Sequence, residues 1–259
     1  MVSTGYKIKA AAFPKEHGSY GFTLEPLALA LIIGYSTAGL YLAIGTFLAF
    51  LAHQPIRLLL APNTPDKKTA AAFFTVYGSM ALLLFYGFIT SVPLRATLPF
   101  ASGLVLMLFY LWMEYLHLHR RLFIEMVAPA AISLIAVSIL LAGGWSMLPA
   151  FGVFFLLSAR FIPTALYVHY RLQLAKRLPA DKGSVALSSG IALILIAWLT
   201  SMGIIPILGL SGVAVLTVRA LWGISERSRP LSVKQLGIRE FIYGIVLILL
   251  ASIGYLLTI

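Results

Sequence analysis

The stretch that decides the fold is FFLLSARFIPTALYVHYRLQLAKRLPADK, residues 154–182. It begins as an apolar segment typical of a membrane-spanning helix and ends as a basic segment that suits the membrane surface. Four side chains recur at helical spacing and therefore share one face: Arg160, Thr164, Tyr167 and Arg171. Because a guanidinium is expensive to leave in lipid, we expect Arg160 to face protein or a water-filled cavity.

This helical face has two interpretations. In the first, Arg160 and Arg171 bind an anionic group, and Pro163 kinks the helix beside them and frees a backbone carbonyl. In the second, Arg160 snorkels or pairs with an acid for packing, and the later cations anchor the helix at the interface.

The composition is that of a polytopic all-α membrane protein. Of 259 residues, 61% are hydrophobic and 10% are charged, and there is no cysteine for a disulfide or a thiolate metal site. We expect a cytosolic N-terminal segment, residues 1–21, and a single transmembrane domain, residues 22–259. The apolar runs predict nine spans at about 22–36, 40–60, 69–89, 100–118, 123–141, 147–170, 185–202, 204–224 and 239–257.

The distribution of charge predicts the topology. Of the 19 lysines and arginines, all but Arg95 fall on one side when the nine spans alternate. The positive-inside rule then places the N-terminus in the cytosol and the C-terminus outside the bacterial cytoplasmic (inner) membrane. The net charge of +11 is explained by this topology, so the expected partner is membrane lipid and not nucleic acid.

Several polar residues lie toward the cytosolic ends of apolar spans. We expect His53, Arg57, Arg160 and Arg171, with Glu25 and His17, to line one cavity open to the cytosol. Tyr167 and Arg219 complete the candidate substrate-binding set, which is His17, Glu25, His53, Arg57, Arg160, Tyr167, Arg171 and Arg219.

Structural alternatives stay open for five further members of this set. His53 and Arg57, four residues apart on one helical face, can equally be a satisfied polar pair under a loop. Glu25 can form an ion pair with Arg57, Arg160 or Arg219, and Arg219 can pair with Glu226. His17 can be a helix cap or a surface residue.

No pattern in the chain predicts a metal or another cofactor. Glu114 and His117 form one Glu-x-x-His motif, whereas a carboxylate-bridged di-iron bundle needs two. No two of the eight acids stand three or four residues apart, and neither a Walker loop nor a Gly-x-Ser-x-Gly elbow is present. We therefore expect no tightly bound Mg²⁺ or Zn²⁺.

Four segments resemble the YwiC-like family of bacterial membrane proteins. They are PKEHGSYGFTLEPLALAL (14–31), HQPIRLLL (53–60), RFIPTALYVHYR (160–171) and RPLSVKQLGIREFIYG (229–244). The first, with its Lys-Glu-His-Gly opening followed by an apolar run, is the most specific of the four.

The chain also has a more distant resemblance to the UbiA superfamily of intramembrane prenyltransferases. That resemblance implies nine helices, a cytosolic N-terminus and a cavity whose chemistry lies after the second and sixth helices. Those two places here carry His53, Arg57, Asn63 and Asp66, and then Arg160, His169 and Arg171.

One departure from the superfamily shapes the functional hypotheses. The Asp-rich motifs that hold Mg²⁺ on a prenyl diphosphate are missing, and basic residues stand in their place. The first hypothesis is a metal-independent enzyme acting on an anionic isoprenoid, such as an isoprenoid diphosphate, or on another lipid. The alternatives are a transporter of a small anion and a non-catalytic binder of lipid or quinone.

Overall fold

The computed structural model of the protein describes residues 12–13, 17–60, 67–116, 122–225 and 232–258, and for residues 17–19 it describes the backbone alone. Within these ranges the chain forms nine α-helices and no β-strand, which confirms the all-α class. The helices are α1 His17–Ile33, α2 Thr37–Leu60, α3 Lys67–Ser91, α4 Leu94–Tyr115, α5 Leu122–Ala142, α6 Met147–Ala175, α7 Lys182–Ser201, α8 Ile207–Ile224 and α9 Val233–Thr258.

Eight of the described helices, α2 to α9, are long and apolar enough to cross a membrane. The apolar part of α1, Tyr20–Ile33, is shorter than this criterion requires. The chain is therefore a multi-pass membrane protein, while the membrane and the orientation of its termini stay predictions. Short turns join α1 to α2, α3 to α4, α5 to α6 and α7 to α8. We call the end of the bundle that carries these turns the outer end, and the opposite end the inner end.

The helices α5 and α6 form the centre of the bundle. They are the most buried of the spanning helices, and α5 packs against α1, α2, α4 and α6. On the other side, α6 packs against α7, α8 and α9, and α9 in turn packs against α1 and α8. Side chains from α1, α6, α8 and α9 can therefore meet at one junction inside the bundle.

The predicted start of the fourth span is wrong by about two turns. The helix begins at Leu94, with Pro93 as its extended N-cap residue, and Pro99 lies inside it. The predicted span begins at residue 100, directly after this proline. A proline this close to a helix start removes one backbone hydrogen bond, to the carbonyl of Arg95, and the helix continues through it.

Side-chain caps explain why α7 and α9 begin earlier than predicted. The carboxylate of Asp181 accepts hydrogen bonds from the backbone of Gly183 and Ser184, at 2.8 and 3.3 Å. Ser232 and Gln235 form a reciprocal capping box at the start of α9, at 3.0 and 3.2 Å. This earlier start places Glu240 about two turns inside α9 instead of at its first turn.

Candidate functional site

Four charged side chains from four different helices meet inside the bundle. They are Glu25 on α1, Arg160 on α6, Arg219 on α8 and Glu240 on α9, and we call them the buried ion network. Their side chains are 7, 4, 8 and 10% exposed, respectively. Because charges this deep in a bundle need partners, the contacts between these groups determine what the site can do.

Arg160 is paired with two acids rather than snorkelling to the surface. Its Nε lies 3.3 Å from one Glu25 oxygen, and its Nη2 donates to the other at 3.4 Å. Nη2 also donates to the backbone carbonyl of Glu240 at 2.8 Å, and Nη1 lies 3.8 Å from the Glu240 carboxylate. Nη1 further donates to the Thr164 hydroxyl at 2.5 Å. Of the three partners considered for Glu25, the structure selects Arg160.

Arg219 makes its closest contact with the Glu240 carboxylate, through Nη2. Nη2 also donates to Thr164 at 3.4 Å, so one hydroxyl accepts from both arginines. The guanidinium carbon lies 4.6 Å from the centre of the Tyr167 ring and 5.3 Å from that of Tyr243, in cation–π contacts. The alternative partner, Glu226, lies outside the described residues.

The signs of the network alternate along the chain of contacts, from Glu25 to Arg160 to Glu240 to Arg219. Two carboxylates and two guanidiniums cancel, which is the arrangement that a low-dielectric interior favours. Two donors nevertheless lack a hydrogen bond among the described residues, although the Arg160 Nε stays within 3.3 Å of a Glu25 oxygen. The Nε atoms of Arg160 and Arg219 are buried and make no hydrogen bond within the part of the chain that the structure describes.

The carboxylate of Glu25 lies against glycine on two sides. A Cβ added at Gly244 on α9 would overlap the carboxylate, and one at Gly21 would lie 3.2 Å from its Oε1. Glycine at position 244 is thus what allows α9 to approach Glu25 so closely. Phe22 adds an aromatic ring whose centre is 5.7 Å from the guanidinium carbon of Arg160.

Tyr167 and Arg171 continue the same face of α6 toward the inner end of the bundle. Both are buried, as the helical spacing predicted, together with Arg160 and Thr164. Arg171 donates from Nη1 to the carbonyl of Gly223 at 2.8 Å, near the C-terminus of α8. A guanidinium there suits the negative end of the helix dipole, so Arg171 has a structural role in the described contacts.

His53 and Arg57 belong to a different set of contacts, which we call the α2–α4 cluster with its third member, Glu114. His53 Nε2 lies 2.5 Å from Glu114 Oε2, and Arg57 Nε lies 3.2 Å from Glu114 Oε1. The side chains of His53, Arg57 and Glu114 are 23, 43 and 14% exposed. Tyr110 packs beside His53, with ring centres 6.4 Å apart. This cluster ties the inner end of α2 to that of α4.

The structure thus divides the candidate set. It brings Glu25, Arg160, Tyr167 and Arg219 together and places Arg171 beside the same helices. His53 and Arg57 meet Glu114 instead, and the side chain of His17, the first residue of α1, lies outside the described atoms. The single cavity stays a prediction.

Two partners were missing from the candidate set. Glu240 was placed at the mouth of the ninth span, although the Ser-x-x-Gln pattern at 232–235 indicates the earlier helix start. Glu114 was considered with His117 as a metal motif, and His117 lies outside the described residues. Among the residues that are described, no three His, Asp or Glu side chains lie close enough to hold a metal ion.

These features define a class of protein, a polytopic helical membrane protein with charged residues buried between its helices. The family model described as YwiC-like protein matches residues 13–140, which include Glu25 and the α2–α4 cluster. The sequence resemblance to the YwiC-like family is thereby confirmed over residues 13–140. No curated protein and no solved structure matches the chain.

Proposed function

We propose that this YwiC-like membrane protein binds or modifies an anionic isoprenoid or other lipid, whose charged group is held by Arg160 and Arg219. The observation that carries the proposal is the pair of buried Nε–H groups without a hydrogen bond among the described residues. A buried donor left unsatisfied costs about 1–3 kcal/mol. This cost applies in full to the Nε of Arg219, whereas the Nε of Arg160 still has a Glu25 oxygen at 3.3 Å. A phosphate or diphosphate oxygen would satisfy both donors, and arginine suits such oxygens through its planar array of donors.

The location of the network favours an amphiphile over a soluble anion. Arg160 lies near the middle of α6, a helix of 29 residues, and Arg219 lies 12 residues from the outer end of α8 and five from its inner end. A charged group that reaches this depth does so more readily when an apolar chain occupies the membrane beside it.

The resemblance to UbiA prenyltransferases supports an isoprenoid in particular. Those enzymes hold a prenyl diphosphate through Mg²⁺ and Asp-rich motifs, which are missing from this sequence. In the proposed site two guanidiniums take over the stabilisation of the diphosphate charge, an electrostatic task that arginines perform in phosphoryl transfer.

Native mass spectrometry of the detergent-purified protein tests this proposal. The probes are farnesyl diphosphate, phosphatidylglycerol and inorganic pyrophosphate, which separate an isoprenoid site from a general lipid site and from a soluble-anion site. We expect farnesyl diphosphate to be retained and Arg219→Lys to weaken its binding at least tenfold, which corresponds to about 1.4 kcal/mol for a lost paired donor. Arg95→Lys, at an exposed arginine near the start of α4, is the matched control and should bind as the wild type does.

Three outcomes decide between the candidate functions. Retention of neither amphiphile, or equal binding by the Arg219→Lys variant, contradicts the proposal. Binding of pyrophosphate alone favours the small-anion transporter, which liposome flux would then measure. Release of pyrophosphate from bound farnesyl diphosphate distinguishes an enzyme from a non-catalytic binder.

A further inference from the structure

Building on the proposed function, we infer that Glu25 is the proton acceptor of the site, so that an anionic ligand binds together with one proton from the cytosolic solution. The step is the protonation of a carboxylate. An O–H bond forms on Glu25, the carboxylate becomes a neutral acid, and Arg160 exchanges this partner for the ligand oxygen.

The charge balance of the buried ion network is the first reason to expect that a proton binds together with the ligand. Two guanidiniums and two carboxylates cancel before any ligand arrives, in a place where all four side chains are at least nine-tenths buried. An added anionic group would leave an excess negative charge in a low-dielectric interior, where an uncompensated charge is strongly unfavourable. One proton on one carboxylate offsets one of the negative charges that the ligand brings and so reduces the excess.

The contacts of the two carboxylates show which of them takes the proton. Glu240 contacts both arginines and makes the closest pair, with Arg219. In the described part of the chain, the charged partner of Glu25 is Arg160, at 3.3 and 3.4 Å, while Gly21 and Gly244 lie against its other sides. Protonation of Glu25 therefore weakens one long ion pair, whereas protonation of Glu240 would disrupt two.

The other titratable groups on the helices that pack against α1 have partners or places elsewhere. On α2, His53 and Arg57 contact Glu114, and on α5, Glu125 is exposed in the first turn. On α9, Lys234 and Arg239 are exposed, and Tyr255 packs against Trp145. The groups that face the network itself are Arg160, Tyr167, Arg219, Glu240 and Tyr243. When the ligand replaces Glu25 at Arg160, the two arginines and Glu240 keep their charges. Glu25 is therefore the group that gains the proton.

Isothermal titration of farnesyl diphosphate in two buffers with different ionisation enthalpies counts the protons taken up. We expect the wild type to take up about one proton more per ligand than Glu25→Gln, because the comparison cancels protons that the diphosphate itself exchanges. The affinity of the wild type should then fall more steeply with rising pH than that of the variant, by about a further tenfold per pH unit. Glu125→Gln is the control and should behave as the wild type.

Infrared difference spectroscopy on the wild type gives a readout that does not depend on the variant's folding. Addition of farnesyl diphosphate should produce the C=O stretching band of a protonated carboxylic acid. Binding with equal proton uptake in both proteins, or without that band, overturns the inference and leaves the proposed function standing. Loss of the extra proton in Glu240→Gln but not in Glu25→Gln overturns the assignment to Glu25. Absence of binding overturns the proposed function and this inference with it.

Discussion

The buried ion network and the α2–α4 cluster both hold arginine against glutamate, yet they differ in depth and in charge balance. The network draws its four side chains from four helices, and none is more than 10% exposed. The cluster draws three side chains from two helices at the inner end, and the Arg57 side chain is 43% exposed. The same residue types therefore have different roles in the two places.

Burial explains the difference in physical terms. Removing one partner of a buried pair leaves an uncompensated charge, which typically costs about 3–5 kcal/mol. A pair that water reaches contributes about 0–1 kcal/mol, because solvent screens it and compensates a lost partner. The network should therefore respond far more strongly than the cluster to a single substitution.

The largest effect is expected for Glu240→Ala. This substitution leaves Arg219 without its closest partner and Arg160 without one of its two acids, so we expect a loss of about 3–5 kcal/mol in the free energy of unfolding. Equilibrium unfolding in mixed detergent micelles measures it. A loss no larger than that of Glu114→Ala would contradict the expected difference in stability between the buried ion network and the α2–α4 cluster.

An intermediate effect is expected for Gly244→Ala. The added methyl group would overlap the Glu25 carboxylate, and overpacking of this kind costs about 1–3 kcal/mol. Gly237→Ala on the same helix is the matched control, since a Cβ at that position meets no atom within 4 Å. The control should be neutral or slightly stabilising, because alanine favours the helix. Equal melting temperatures for the two variants would show that α9 does not approach Glu25 closely.

The smallest effect is expected for Glu114→Ala. It removes the contacts to His53 and Arg57 at a place where Arg57 is in part solvated, so we expect a loss of about 1 kcal/mol. The same unfolding assay, repeated at high salt, should show a smaller difference from the wild type. A loss above 3 kcal/mol would mean that the cluster is as desolvated as the network.

Much of the architecture was predictable because apolar runs and turn residues are local signals. The nine apolar runs correspond to the nine described helices, and the shared face of Arg160, Thr164, Tyr167 and Arg171 is buried as the spacing indicated. The errors lie at helix starts, because proline residues and side-chain caps determine where a helix begins. The predicted fourth span begins after Pro99, although the helix runs through this proline, and the predicted ninth span begins after the Ser232 capping box.

The partners of the candidate residues were less predictable. Glu25 and Arg160 are 135 residues apart in the chain, and His53 and Glu114 are 61 residues apart. Helical periodicity shows which face of a helix is polar, but the facing helix depends on packing across the whole bundle. The pairing of Glu25 was therefore limited to three arginines by charge, and Glu240 was not considered as a partner.

The most direct test of the central claim is an experimental structure of the protein in a lipid nanodisc with farnesyl diphosphate, determined by electron cryo-microscopy. We expect diphosphate density within hydrogen-bonding distance of the Nε atoms of Arg160 and Arg219, with the isoprenoid chain in the membrane and Glu25 displaced from Arg160. Diphosphate density at Arg57 in the α2–α4 cluster, with the contacts of the buried ion network unchanged, would contradict it.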